Sequence, residues 1–112
     1  MAMQEELYDE ADRLKNEGKL EEAIAKLQEL LEIDSEYALA HSALAVACGR
    51  TGKHEDAIHH AQKVCELEPN DPFSFTALSV TFQRASAGTN NAQYIQMAED
   101  AMARSRMIQE GA

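Results

Sequence analysis

The chain has 112 residues, 45% of them apolar, with a formal charge of −10 at pH 7, three Tyr, three Phe and no Trp. Such a length gives one domain with a small core, and the charge repels phosphate, which excludes nucleic acid and anionic membranes as partners. No segment is apolar for long enough to span a bilayer and the acidic stretch Met1–Glu10 does not resemble a secretion signal; with Cys48 and Cys65 at helical core positions, the expected setting is the reducing cytoplasm.

Taken in chain order, the first helix is expected from about Gln4 to Glu17, because Leu7, Ala11 and Leu14 recur at three- and four-residue intervals on one face. Gly18 stops it, since glycine enters the left-handed conformation that ends a helix. A second helix follows over Leu20–Ile33, with Leu20, Ala23, Ile24, Leu27, Leu30 and Leu31 inward. So short a turn makes the two antiparallel. Helices near 37–51 and 54–67 come next, broken at Gly52, and Pro69 and Pro72 bracket the following turn. A fifth helix is expected over Pro72–Ala87, a loop over Ser86–Asn91, and a sixth helix over Asn91–Gln109. Glycine is expected only at turn-like positions. The charge is uneven: residues 4–37 carry 12 acids and 4 bases, whereas residues 72–112 carry 3 of each.

The sequence repeats itself. Gly18-Lys-Leu-Glu-Glu-Ala-Ile24 returns 34 residues later as Gly52-Lys-His-Glu-Asp-Ala-Ile58, one period of a helix–turn–helix repeat. Glu32-Ile33-Asp34-Ser35 likewise returns as Glu66-Leu67-Glu68-Pro69. This organisation resembles the tetratricopeptide repeat (TPR) family, whose pattern is a large residue, Leu plus a small residue and a large residue, then Ala-x₃-Phe and Pro. Its positions hold Leu7, Glu10-Ala11, Leu14, Ala23, Leu27 and Ser35 in the first copy, and His41, Leu44-Ala45, Cys48, Ala57, Ala61 and Pro69 in the second. A third half-copy holds Phe75, Leu78-Ser79 and Phe82, after which the best match, Ala98 with Met102, comes seven residues late, so the fifth helix is longer, the loop is longer, or both. The resemblance implies an all-α fold of about six helices, with antiparallel helix pairs stacked as a short right-handed α-solenoid. The whole chain, 1–112, is then a single TPR-like domain with repeats at about 4–37, 38–71 and, divergent, 72–110.

Little in the sequence points to chemistry. His59 and His60 are adjacent, so on a helix they point about 100° apart. His54 stands where the first repeat has Leu20, and His41 where the family has tryptophan. No Cys-x₂-Cys or His-x₃-His spacing occurs, so neither a metal nor a cofactor is expected. Cys48 and Cys65 are expected as small buried hydrophobes. Without a loop that could assemble a base and an anion-stabilising site, no enzymatic activity is expected.

In TPR stacks the first helix of each pair lines a concave groove. The resemblance therefore implies a peptide-binding groove with Tyr8 and Asp12 on the first such helix, and Leu39, Ala43, Val46 and Arg50 on the second. Phe73, Thr76, Val80 and Arg84 complete it on the third. Family members that hold acidic chaperone tails use a Lys, Asn, Asn, Lys, Arg clamp, and the matching positions here are Tyr8, Asp12, Ala43, Phe73 and Ala77, so that clamp is absent. The expected partner is a protein segment, amphipathic and flanked by basic residues, held by a non-catalytic interaction module. Two alternatives stand beside this. Ile95, Met102 and Met107 on the last helix form a candidate self-association surface for a homodimer, or the chain is a fragment of a longer TPR scaffold.

Overall fold

The computed structural model describes residues 2–111, which form six α-helices and, among those residues, no strand. They are α1 (Ala2–Asn16), α2 (Leu20–Ile33), α3 (Ala38–Arg50), α4 (His54–Leu67), α5 (Pro72–Thr89) and α6 (Gln93–Gln109). Each helix packs against the next, and α3 also touches α5. Three antiparallel pairs thus lie side by side as a helical repeat, in a body of 38 × 33 × 21 Å. No described helix is long and apolar enough to cross a membrane.

The turns within the first two pairs repeat down to their hydrogen bonds. Gly18 and Gly52 both have φ of 82°. Lys19 N–H donates to the Leu14 carbonyl and Lys53 N–H to the Cys48 carbonyl, each at 2.8 Å. Gly18 N–H donates to Lys15 and Gly52 N–H to Gly49, which completes the same helix-ending motif twice. Glu21 and Glu22 open α2, and Glu55 and Asp56 open α4, placing acids at the positive end of each helix dipole. The last pair begins differently. Asp71 accepts a hydrogen bond from Phe73 N–H at 2.9 Å, and Pro72 occupies the first turn, where no amide donor is needed.

Alanines sit where helices cross, with Ala23, Ala57, Ala61 and Ala98 all buried. Around them the core divides in two. One cluster gathers Ile24, Leu27, Leu30, Leu44 and Cys48, while the other gathers Ile58, Cys65, Leu78 and Phe82. The α5–α6 crossing uses small hydroxyl residues instead. Ser79 Oγ donates to the Ala98 carbonyl at 2.8 Å, and Ser105 Oγ lies 2.9 Å from Thr76 Oγ1. Both serines are buried, and each of their hydroxyls is hydrogen-bonded.

The expected helix bounds coincide with the observed ones for α2 and α4. Two expectations are corrected. The fifth helix runs on to Thr89 rather than ending near Ala87, and the connection to α6 shrinks to residues 90–92. Asn90, not a glycine, takes the left-handed conformation (φ 60°) that ends it. Glycine is also not confined to turns, since Gly49 and Gly88 lie inside α3 and α5. A Cβ on Gly88 would fall 2.2 Å from His54 Nε2, so this glycine makes room for the histidine that replaces Leu20 of the first repeat.

Candidate interaction surface

The first helices of the three pairs carry residues in a ladder set by the 34-residue period. Glu5, Leu39 and Phe73 occupy equivalent positions, as do Asp12, Val46 and Val80, and then Asn16, Arg50 and Arg84. On α3 and α5 the apolar rungs stand in water: Leu39 is 57% exposed, Phe73 73%, Val46 37% and Val80 39%. Arg50 and Arg84 are exposed at the ends of the same rows. On α1 both apolar rungs are replaced by acids, so the surface grades from acidic to apolar across three helices.

Two clefts separate these helices. Tyr8, Asp12, Lys15, Ala43 and Ala47 line the one between α1 and α3, which is nearly closed at about 10 Å³. Asp12 there pairs with Lys15 at 3.3 Å, and the Tyr8 ring lies 6.3 Å from that of Tyr37. Between α3 and α5 the cleft is open, at about 250 Å³, and is lined by Ser42, Val46, Ala77, Val80 and Arg84 above Ala61 and Val64. Leu39, Arg50 and Phe73 are exposed outside both clefts. Thr76 differs from its expected place: its hydroxyl is engaged by Ser105 of α6 and by the Pro72 carbonyl, turned into the last pair.

A third and larger cleft, about 820 Å³, lies between α5 and α6. Ile95 and Met102 line it, joined by Ser79, Gln83, Glu99 and Arg106. Met107 is 46% exposed but stands apart from this cleft, because five residues carry it about 140° around the helix from Met102. The sequence reading missed Glu99 and Arg106, whose only signal is a seven-residue spacing on the side of α6 that carries Met102.

It also missed a histidine pair. His41 Nδ1 and His60 Nδ1 lie 2.9 Å apart, and His41 Nε2 is 2.9 Å from the Ser35 carbonyl. Burial, then the neighbouring His41 and His59, push the His60 pKa down from 6.5 to about 4, against a smaller upward pull from Asp56. The two cysteines are buried. Burial raises the pKa of Cys48, and raises that of Cys65 to about 11, so both are held as protonated thiols at neutral pH. Among the described residues, no group of three or more His, Cys, Asp or Glu comes together as a metal ion would require.

Comparison with protein families returns two matches. A model described as TPR repeat matches residues 11–52, and one described as Tetratricopeptide repeat matches residues 38–71. Together they span residues 11–71, more than half of the chain. The helices α5 and α6, where the motif departs from its period, lie beyond both matches. A comparison with curated proteins finds no match.

Proposed function

Because the chain belongs to the tetratricopeptide repeat family, whose repeats generally serve protein–protein interaction, we propose that it is a non-catalytic module holding a segment of a protein partner across α1, α3 and α5. The observation that carries this is the ladder of exposed apolar side chains, Leu39 with Phe73 and Val46 with Val80, repeated in register on two helices. Isolated exposed hydrophobes need no explanation, but a periodic row beside an open cleft is the kind of surface that a partner covers.

The charges suggest how the segment lies. Its apolar anchors meet Val46, Val80 and Phe73, and basic residues flank them toward Glu5, Asp9 and Asp12. Arg50 and Arg84 orient the other edge by holding a carboxylate or main-chain carbonyls. Residues 1–112 act as one unit in this scheme, since the surface draws on all three pairs.

The test is fluorescence anisotropy with a labelled amphipathic peptide carrying Leu at helical spacing and Lys flanks, set against the same peptide with Glu flanks. Tighter binding of the Lys-flanked peptide is expected, weakening as salt rises because exposed charges are screened within about 10 Å at 0.1 M. Val80→Asp should weaken binding of both peptides by removing an apolar anchor, whereas Asp12→Lys should abolish the preference. Tighter binding of the Glu-flanked peptide would contradict the proposal.

A further inference from the structure

The cleft between α5 and α6 is the third member of a series whose first two members each receive the first helix of the next pair. α3 seats Ala43 and Ala47 in the cleft of the first pair, over Ala11, Ala23 and Leu27. α5 seats Ala77 and Thr81 in that of the second pair, over Ala45 and Ala61. The corresponding floor of the third pair is Ser79, Ala98 and Met102, by the 34-residue period and its seven-residue delay. No described helix covers it, and the space grows from about 10 Å³ and 250 Å³ to about 820 Å³. Ile95, 53% exposed, stands at its edge.

We propose that this face is covered by the same face of a second copy, with α6 packed antiparallel on α6 about a twofold axis. The charges are self-complementary. Glu99 and Arg106 straddle Met102, both are exposed, and neither is in an ion pair among the described residues. They lie seven residues, about 10 Å, apart along the helix. An axis midway between them sets each Glu99 against Arg106 of the other copy, twice, and brings Met102 against its own counterpart. An isologous contact of this kind closes on itself.

The head-to-tail alternative is opposed by charge. The helix that would enter the cleft from another copy is α1, whose residues equivalent to Ala43 and Ala47 are Asp9 and Arg13, both exposed. Seating them would strip water from two charges. In the isologous contact each charge that loses water gains a partner of opposite sign, and no net repulsion opposes it, because residues 72–112 carry three acids and three bases while the excess acid lies on residues 4–37. This pairing does not involve Leu39, Val46 or Phe73, so it stands or falls apart from the peptide surface.

Sedimentation equilibrium on the full chain, from low to high micromolar concentration, tests it. A reversible dimer is expected. Glu99→Arg and Arg106→Glu should each weaken it about tenfold or more, because like charges then meet twice across the axis, and the double exchange should restore it. Met102→Glu should leave a monomer of unchanged helix content by circular dichroism. A native chain that stays monomeric throughout, a dimer that survives Met102→Glu, or a double exchange that fails to restore pairing would each overturn the proposal.

Discussion

His41 and His60 face each other Nδ1 to Nδ1 at 2.9 Å across the α3–α4 crossing, and only one proton can sit between them. His41 Nε2 lies against the Ser35 carbonyl, an acceptor, so that nitrogen carries a hydrogen. In neutral His41 the Nδ1 is then the acceptor, and His60 Nδ1–H donates to it. A further proton on His60 would enter at Nε2 and place a charge in a half-buried site beside the rings of His41 and His59.

A pH dependence follows with a definite sign. The His60 pKa is lowered in the folded chain, from 6.5 to about 4, chiefly by burial. Between those values the unfolded chain binds a proton that the folded chain refuses, so this contribution is complete above about pH 6.5 and fades as pH falls toward about 4. His60 is only half-buried, which reduces the effect to roughly 1–2 kcal/mol. Urea midpoints at about pH 7 and about pH 4.5 should show the native chain losing more stability than His60→Gln. Equal losses would contradict it.

The Gly88–His54 contact gives a prediction against helix propensity. Gly→Ala inside a helix normally gains about 1 kcal/mol. Here the new Cβ would lie 2.2 Å from His54 Nε2 and 3.0 Å from two further ring atoms, so the ring must move. Gly88→Ala is expected to destabilise by about 1–3 kcal/mol, as overpacking does. In a His54→Ala background the same change should become neutral or stabilising. A double-mutant cycle measures that coupling, and a stabilising Gly88→Ala single variant would exclude the contact.

The cysteines should be inert while the chain is folded. Both thiols are buried and their pKa values raised, that of Cys65 to about 11, and Cys65 Sγ donates to the Ser74 carbonyl at 3.4 Å. The thiolate is the reactive form. Ellman's reagent at about pH 8 should therefore label both only as urea unfolds the chain, with the labelling midpoint tracking loss of helix. Fast labelling of either in the folded state would contradict their burial.

The helices were legible where local signals repeat. Gly18 and Gly52 carry the same turn, so the bounds of α2 and α4 follow from sequence. The end of α5 was not, because no Gly-Lys turn marks it: Asn90 takes the left-handed conformation there, and Gly88 stays inside the helix against His54. The exposed rungs Val46 and Val80 follow from the period, while Thr76 is diverted by Ser105, a contact made 29 residues away. His41 and His60 are likewise joined only by tertiary packing. The terminal cleft was half legible: Ile95 and Met102 share a face with Ala98, but Met107 does not, and Glu99 and Arg106 gain meaning only beside the empty cleft.

A partner held on the open side of α1, α3 and α5 should leave its footprint there. A ¹⁵N–¹H correlation spectrum of the chain, titrated with the Lys-flanked amphipathic peptide, reads that footprint residue by residue. Shift changes are expected to concentrate on Asp12, Leu39, Val46, Phe73, Val80 and Arg84, leaving α2 and the α6 residues Ile95 to Arg106 unmoved. Changes centred on α2, α4 or α6, or none at peptide excess, would contradict it.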